Sequence, residues 1–447
     1  MDAQQPAQHH ARQHAPAAAP AAVDRAAVDR ALVDRAAVDR AAALDAADPL
    51  AHLRDEFVLD EQVRSYLDGN SLGRPTRTAA ERLGRFAVEE WGARLIRAWD
   101  ESWMELPLRL GDRIARLTLG AAEGQTFVGD STTVILYKLL RAAVDAQAAA
   151  GRHEIILDTG NFPTDRYLLE GIAAERGMTL RWIDTDPVEG VALADVEALL
   201  GERTAVVVLS HVEYRSGHLA DLPGITAAAH RHGALVLWDL CHSVGSVPIT
   251  LDAHEVDLAV GCTYKYLNGG PGSPAFGYVA RRHLGRLRQP VQGWMGAADP
   301  FAMGPEYAPH PGIRGFISGT PPVTGMLAME GMLDLIEQAG MEAVREKSVA
   351  LTGFAEELVD ELLTPLGVRL SSPRDPQRRG SHVTVDHEDF AAVLPRLWSQ
   401  GVIPDFRPPH GLRLGLSPLS TSFAEVEVGI RAIRDSLVEV RDGAGSA

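Results

Sequence analysis

The regular alternation of short β-branched runs with helical stretches constrains this chain more than any other feature. The runs are Glu154–Leu157, Leu180–Ile183, Ala205–Leu209, Ala234–Trp238 and Leu258–Val260, with helical segments such as Leu222–His232 between them. Parallel strands need a crossover of a dozen or so residues, usually a helix, so this spacing predicts βαβ units and a mostly parallel sheet. The strands are almost continuously apolar, which requires helices on both faces of the sheet. A further run, Phe276–Val279, follows a glycine-rich loop and reads as an additional pairing strand. A long helical stretch starts after Pro322 and runs past Lys347. It is followed by helices around 351–363 and 391–400 and by short strands near Val383 and Leu412–Leu414. The expectation is an α/β protein: a large domain over 106–325, a smaller α+β C-terminal domain over 326–447, and an N-terminal segment, 49–105, that contributes to the small domain and to the active site.

The 447 residues are enough for two cores of this kind. A net charge of −17 with no localised basic patch argues against nucleic acid as a partner. Two cysteines, Cys241 and Cys262, supply neither a disulfide framework nor a cysteine-rich metal site. No apolar run is long enough to span a bilayer. The first residues, Met1–Gln5, lack the basic and apolar regions of a signal peptide, so the expected location is cytoplasmic. From Ala21 to Arg40 the chain repeats Ala-Ala-Val-Asp-Arg, with one Leu variant. On a helix a five-residue period drifts about 140° per repeat, so Val23, Val28, Val33 and Val38 form no lasting stripe. Residues 1–48 therefore read as a low-complexity, solvated and largely disordered extension that helix formation visits only transiently.

In open α/β sheets, ligands bind beyond the carboxyl ends of the strands. Those ends carry Asn161-Phe162-Pro163-Thr164-Asp165, then Ser210 and His211, then Asp239 and His242, then Thr263-Tyr264-Lys265-Tyr266. A lysine entering the glycine-rich loop Asn268–Gly272 suits Schiff-base chemistry. A carboxylate such as Asp239 suits a pyridinium nitrogen, and Phe162 suits stacking on a ring. Gly129-Asp130-Ser131-Thr132-Thr133 precedes the helical run Val134–Ala150, and a helix N-terminus with hydroxyls suits a phosphate. Together these are the parts of a pyridoxal-phosphate site. Singly, each has a plainer reading. Asp130-Ser131-Thr132 reads as an N-cap, Asp239 as a cap of the next helix, Lys265 as a surface lysine, His242 as structural, and Trp294 as core or interface.

Several longer motifs resemble those of the kynureninases. They are Tyr66–Gly73 (Tyr-Leu-Asp-Gly-Asn-Ser-Leu-Gly), Asp130–Val134, Phe162–Asp165, Trp238–Ser243, Tyr264–Gly272, Gly293-Trp294 and Gly319–Pro322. The resemblance runs from about residue 50 to the C-terminal end. It implies a fold-type-I pyridoxal-phosphate enzyme, a homodimer with active sites at the subunit interface. By this likeness Lys265 carries the cofactor, Asp239 pairs with the ring nitrogen, Phe162 stacks on the ring, and Asp165 and His242 surround it. Thr132, Thr133, Tyr264 and Trp294 serve the phosphate, with Trp294 and Thr320 reaching from the partner subunit, and Ser210 is a further cofactor contact. Arg413 grips the substrate α-carboxylate, and Asn70 and Ser71 lie on the substrate side. The family commonly has Ser where Thr133 stands, a change that keeps the hydroxyl. Trp91–Ile96 and Trp99 are expected near the substrate ring without assigned roles.

The activity implied is hydrolysis of L-kynurenine or 3-hydroxykynurenine to anthranilate or 3-hydroxyanthranilate and L-alanine, a step of tryptophan catabolism. The alternatives are a hydrolase for a ring-modified kynurenine in secondary metabolism and a fold-type-I aminotransferase. A cysteine desulfurase needs a nucleophilic cysteine on a late loop, and this chain has none after Cys262.

Overall fold

The computed structural model describes residues 25–302 and 304–444. Its strands, in chain order, are β1 (Ser65–Leu67), β2 (Thr126–Val128), β3 (Glu154–Asp158), β4 (Thr179–Ile183), β5 (Thr204–Ser210) and β6 (Leu235–Asp239). They continue with β7 (Leu258–Gly261), β8 (Phe276–Val279), β9 (Arg369–Leu370), β10 (His382–Asp386), β11 (Val402–Arg407) and β12 (Gly411–Gly415). A seven-stranded sheet has the order β2-β8-β7-β6-β5-β3-β4, and a five-stranded sheet the order β1-β11-β12-β10-β9. In the larger sheet β4, β3, β5, β6 and β7 run parallel, and β8 is antiparallel to both β7 and β2. The expected parallel strands form within a residue or so of their sequence limits.

Helices cover both faces of the large sheet, as its apolar strands require. Val207, Val236 and Ala259 belong to one buried cluster, and Ile155, Val206, Leu237 and Val260 to another on the opposite face. The expected long helical stretch after Pro322 is three helices, Val323–Leu327, Met329–Ala339 and Met341–Leu358. The last break falls at Gly340, whose φ of +77° suits glycine. The smaller sheet is antiparallel apart from β1, which comes from the N-terminal segment and pairs in parallel with β11. Its core joins Leu67 to Val383, Leu412, Leu414, Ile430 and Ile433. No helix of the described residues is long and apolar enough to cross a membrane.

The N-terminal extension departs from expectation. Residues 1–24 lie outside the described residues, but Arg25–Ala47 is a helix, not a disordered solvated segment. The valines do not build its seam; small side chains do. Ala37 and Ala41 are buried in the core of the smaller sheet, with Val33 packed partly against it, while Val38 faces solvent. Alanine at a helix crossing allows close approach of the backbones, which a search for large apolar residues overlooks. Polar contacts fix the register of this helix on the last helix, Phe423–Ala444. Arg434 pairs with Asp34, and Asp45 accepts hydrogen bonds from the Phe423 and Ala424 amides at 2.8 and 2.9 Å. Asp48 forms a buried ion pair with Lys347.

Asp45 thus supplies from another segment the N-terminal cap that Phe423–Ala444 needs. Asp45→Ala should lower the free energy of unfolding by about 1 kcal/mol, read as an earlier denaturant midpoint. An unchanged midpoint would mean that the cap does not hold the N-terminal helix on the last one.

Candidate active site

Parallel pairing brings the expected strand ends to one edge. In the β5–β6 register Ser210 lies opposite Asp239, and in the β6–β7 register Asp239 lies opposite Val260. Beyond β7 the chain enters the turn carrying Thr263, Tyr264 and Lys265. Thr263 fastens this turn, its hydroxyl meeting that of Ser273 at 2.6 Å while its carbonyl accepts from the Gly269 amide at 2.9 Å. Asn268, Gly270 and Gly272 all adopt positive φ, which this tight return requires. Lys265 is buried, and its ammonium lies 5.8 Å from the centre of the Tyr264 ring.

A cavity of about 250 Å³ opens at this edge. Thr132, Thr133, Phe162, Asp165, Asp239 and Lys265 are among the residues that line it. Ser210, His242 and Tyr264 complete the wall. The phosphate end is the start of the helix Thr132–Ala149. Ser131 is its N-cap, so the plain capping reading holds for that residue, and the next two hydroxyls are left to face the cavity. The carboxylate of Asp130 would oppose an anion there, but Lys138, fully buried, pairs with it at 2.5 Å.

Asp239 does two jobs. Its Oδ1 accepts from the Cys241 amide at 2.7 Å, the local capping role, while the carboxylate remains part of the cavity lining. Asp165 is buried against it. Burial first, and then the charge of Asp239, push the Asp165 carboxyl well above its ordinary range, so it is held protonated. Tyr264 is likewise pushed up, chiefly by burial, and stays a neutral phenol. Lys265 Nζ lies 2.8 Å from His242 Nε2, and burial, followed by the charge of Lys265, keeps the His242 ring neutral. Phe162 meets the Tyr214 ring edge-on at 5.3 Å, which steadies its plane.

Arg413, on β12, is almost wholly buried. It donates to the Tyr214 carbonyl at 2.6 Å and to the Ser71 hydroxyl, and pairs with Asp405 at 2.7 Å, with Asp68 at 3.8 Å. The Ser71 prediction therefore places that residue beside Arg413. Asn70 is fully buried, and neither its Nδ2 nor its Oδ1 has a hydrogen-bond partner. The Tyr66–Gly73 motif runs from the small sheet to the Lys265 turn. The Gly73 amide donates to the Tyr264 carbonyl at 2.9 Å, and a Cβ on Gly73 would come within 2.3 Å of the Lys265 carbonyl.

Five predicted residues do not line this cavity within one chain: Arg413, Asn70 and Ser71, and also Trp294 and Thr320. Trp294 sits in an aromatic group with Trp99 at 6.4 Å and Phe301 at 6.1 Å, and Thr320 is exposed. Trp91, Leu95 and Ile96 are also exposed. His211 packs edge-on against Trp238 instead of joining the cavity lining. The sequence reading missed Tyr214, Lys138, Asp405 and His382. Tyr214 was within reach of it, four residues past β5. The others act through contacts between distant segments that no local motif marks.

The donor set fits pyridoxal phosphate. A neutralised helix N-terminus with free hydroxyls faces a carboxylate, a ring and a lysine across one cavity. Asp165 Oδ2 and His242 Nδ1 are buried there without partners. Buried polar atoms are seldom left unpaired, so such atoms mark where a ligand or water belongs.

Comparisons with known proteins agree with this architecture. The chain is 45% identical over 400 residues to a kynureninase of Burkholderia pseudomallei, covering 88% of this chain and 94% of that protein. The chain belongs to the kynureninase family. A kynureninase of Pseudomonas fluorescens is 42% identical over the same shares of the two chains. The family model described as the kynureninase C-terminal domain matches residues 344–433, and that of the DegT/DnrJ/EryC1/StrS aminotransferase family matches 131–249. Among solved structures, a cystine C-S lyase in complex with cysteine persulfide superposes with a TM-score of 0.73 at 21% identity, covering 83% of this chain and 97% of that one. A cysteine desulfurase of Escherichia coli gives 0.73 at 16%, covering 88% and 98%. These two likenesses establish the fold, the α/β large domain with a smaller C-terminal one.

The raised Asp165 carboxyl has a consequence for the cofactor-free protein. Between the ordinary carboxylate value and its raised folded value, the native state binds a proton that the unfolded chain has released. Asp165 therefore subtracts stability as pH rises through that window. Asp165→Asn, a neutral isostere, should flatten the decline of thermal midpoint as pH rises above the ordinary carboxylate range. An unchanged decline would show that Asp165 is ionised in the folded protein.

Proposed function

We propose that this kynureninase-family chain is a pyridoxal-phosphate hydrolase that cleaves L-kynurenine or 3-hydroxykynurenine to the corresponding anthranilate and L-alanine. The observation carrying this reading is the cavity that Lys265 and Asp239 line together; a buried arginine of the small sheet, Arg413, is suited to the substrate carboxylate. We divide the chain into a cofactor lobe over 106–325 and a small lobe over 326–447, with 49–105 crossing between them.

Thr132, Thr133 and the free amides of their helix would hold the phosphate, with Tyr264 lining the same cavity. Asp239 would pair with the pyridine nitrogen, with Asp165 beside it as a neutral acid, and Phe162 and Ser210 would contact the ring. When bound, pyridoxal phosphate supplies the electron sink that labilises bonds to the amino acid's Cα and Cβ. Lys265 would hold the cofactor at Nζ, and its amine is the base that would take the Cα proton. His242 holds that amine in place through its Nε2. Arg413, released in part from Asp405, orients the substrate carboxylate, and Asn70 and Ser71 line the same side. The neutral Tyr264 hydroxyl would orient, through a hydrogen bond, the water that attacks the γ-carbonyl.

Trp294 and Thr320 complete the phosphate end from a second subunit. The exposed Trp91, Ile96 and Phe301 beside the Trp99–Trp294 group support such a homodimer, since clustered exposed apolar side chains mark contact surfaces. Desulfuration does not fit the cysteines, because Cys241 and Cys262 are both buried and face each other.

Incubation of the holoenzyme with kynurenine and 3-hydroxykynurenine should release a fluorescent anthranilate and one equivalent of alanine. Formation of a keto acid without alanine would assign the site to transamination instead, the reading to which the aminotransferase-family match over 131–249 points.

A further inference from the structure

A fully buried lysine stands behind the phosphate end of the cavity. Lys138 belongs to the helix Thr132–Ala149, in a stretch where Ile135, Leu136, Leu139 and Leu140 are buried as well. Its ammonium donates to Asp130 Oδ2 at 2.5 Å and to the Phe316 carbonyl at 3.0 Å, and lies 6.0 Å from the centre of the Phe127 ring. Burial pushes it below the ordinary lysine range, and the charge of Asp130 opposes that push. Lys138 does not line the cavity itself; Ser131, Thr132 and Thr133, the residues that follow Asp130, do.

The backbone explains why an aspartate precedes these hydroxyls. Asp130 has a φ of +48°, in the left-handed region where aspartate and asparagine are the side chains best tolerated after glycine. The turn is pinned on both sides of this residue: the Gly129 amide donates to the Ala275 carbonyl, and the Ala275 amide to the Asp130 carbonyl, each at 2.9 Å. It then delivers the chain to Ser131, the N-cap. Asparagine would suit that backbone equally well, so the carboxylate adds only a charge, and one of the wrong sign. Asp130 is two residues from Thr132, which puts the two Cα atoms within about 7.6 Å. A phosphate monoester carries up to about two negative charges at neutral pH, and an unpaired carboxylate so close would oppose the attraction of the helix start.

We propose that Lys138 is a positioning residue for the cofactor phosphate: by holding the Asp130 carboxylate in an ion pair, it cancels a charge that would otherwise repel the phosphate from the start of its helix. The proposal rests on the reading of Thr132 and Thr133 as the phosphate cradle. Lys138 acts on the phosphate only through Asp130, since the carboxylate and the Phe316 carbonyl hold its ammonium away from the cavity. The Asp130 side chain keeps 35% of its surface exposed, so water screens part of the repulsion that loss of Lys138 would uncover.

The test titrates the full-length, cofactor-stripped protein with pyridoxal phosphate and, separately, with pyridoxal, which lacks the phosphate. The ratio of the two Kd values isolates the phosphate's share of binding. Lys138→Met should weaken pyridoxal phosphate about tenfold relative to pyridoxal. Lys138→Met/Asp130→Asn, which removes both charges, should return the ratio to within about threefold of wild type. Asp130→Asn alone, which leaves the ammonium in place, should bind pyridoxal phosphate at least as well as wild type. The last two predictions stand even where the single lysine variant does not fold, because neither variant leaves an unpaired carboxylate. Equal weakening of both ligands by Lys138→Met would overturn the proposal and make Lys138 a packing residue only. So would a double variant with a ratio about tenfold below wild type, or an Asp130→Asn variant that loses affinity for the phosphate. A wild type that binds pyridoxal phosphate no better than pyridoxal would overturn the cradle and the proposal with it. A wild-type preference that Lys138→Met leaves intact would overturn the proposal alone.

Discussion

Parallel pairing of β5, β6 and β7 is the constraint on which this molecule depends. Parallel neighbours need a crossover, and each crossover returns the chain to the same starting edge, so all the carboxyl ends open on the opposite one. Residues far apart in sequence, Ser210, Asp239 and Lys265, become neighbours without any contact of their own having to bring them together. The helices that make the crossovers bury the apolar faces of the strands. The polar residues are thus left to gather only where the strands end.

The second constraint is the joint between the two sheets. The Tyr66–Gly73 segment starts as a strand of the small sheet and ends against the carbonyl of Lys265, where only glycine fits. Gly69 and Gly415 face equally tight neighbours, the side chains of Ser417 and Asn70. Beside this joint, Glu425 pairs with Arg74 at 2.5 Å at the start of the last helix, and the N-terminal helix caps that same start through Asp45. A chain of short contacts therefore runs from the Ala-rich extension to the lysine turn. It ties the extension to the turn that carries Lys265.

The parts of this account that were legible in the sequence are those encoded locally. Strand ends carry their side chains a fixed distance beyond an apolar run, so Asp239, His242 and Lys265 were found by reading past each strand. Ser131, Thr132 and Thr133 follow from capping chemistry. The N-terminal helix was misread because its repeat has the wrong period for a valine stripe, while the actual seam is made by Ala37 and Ala41, residues that a hydrophobicity pattern hardly registers. Lys138, Asp405 and His382 were invisible for a different reason. Each is defined by a partner on another element: Asp130, Arg413 and His242. No spacing in the sequence announces such pairs. Trp294 and Thr320 were legible as motifs, yet one chain does not bring them to the cavity.

The central claim is that Lys265 is the residue to which the cofactor is bound. Borohydride reduction of the pyridoxal-phosphate-loaded protein, followed by peptide mapping, tests it directly, because reduction fixes the cofactor to whichever amine holds it. The account predicts a single reduced pyridoxyl adduct on Lys265, absent when that lysine is replaced by alanine. An adduct on Lys138 or Lys347, or loaded cofactor with no adduct at all, would contradict it.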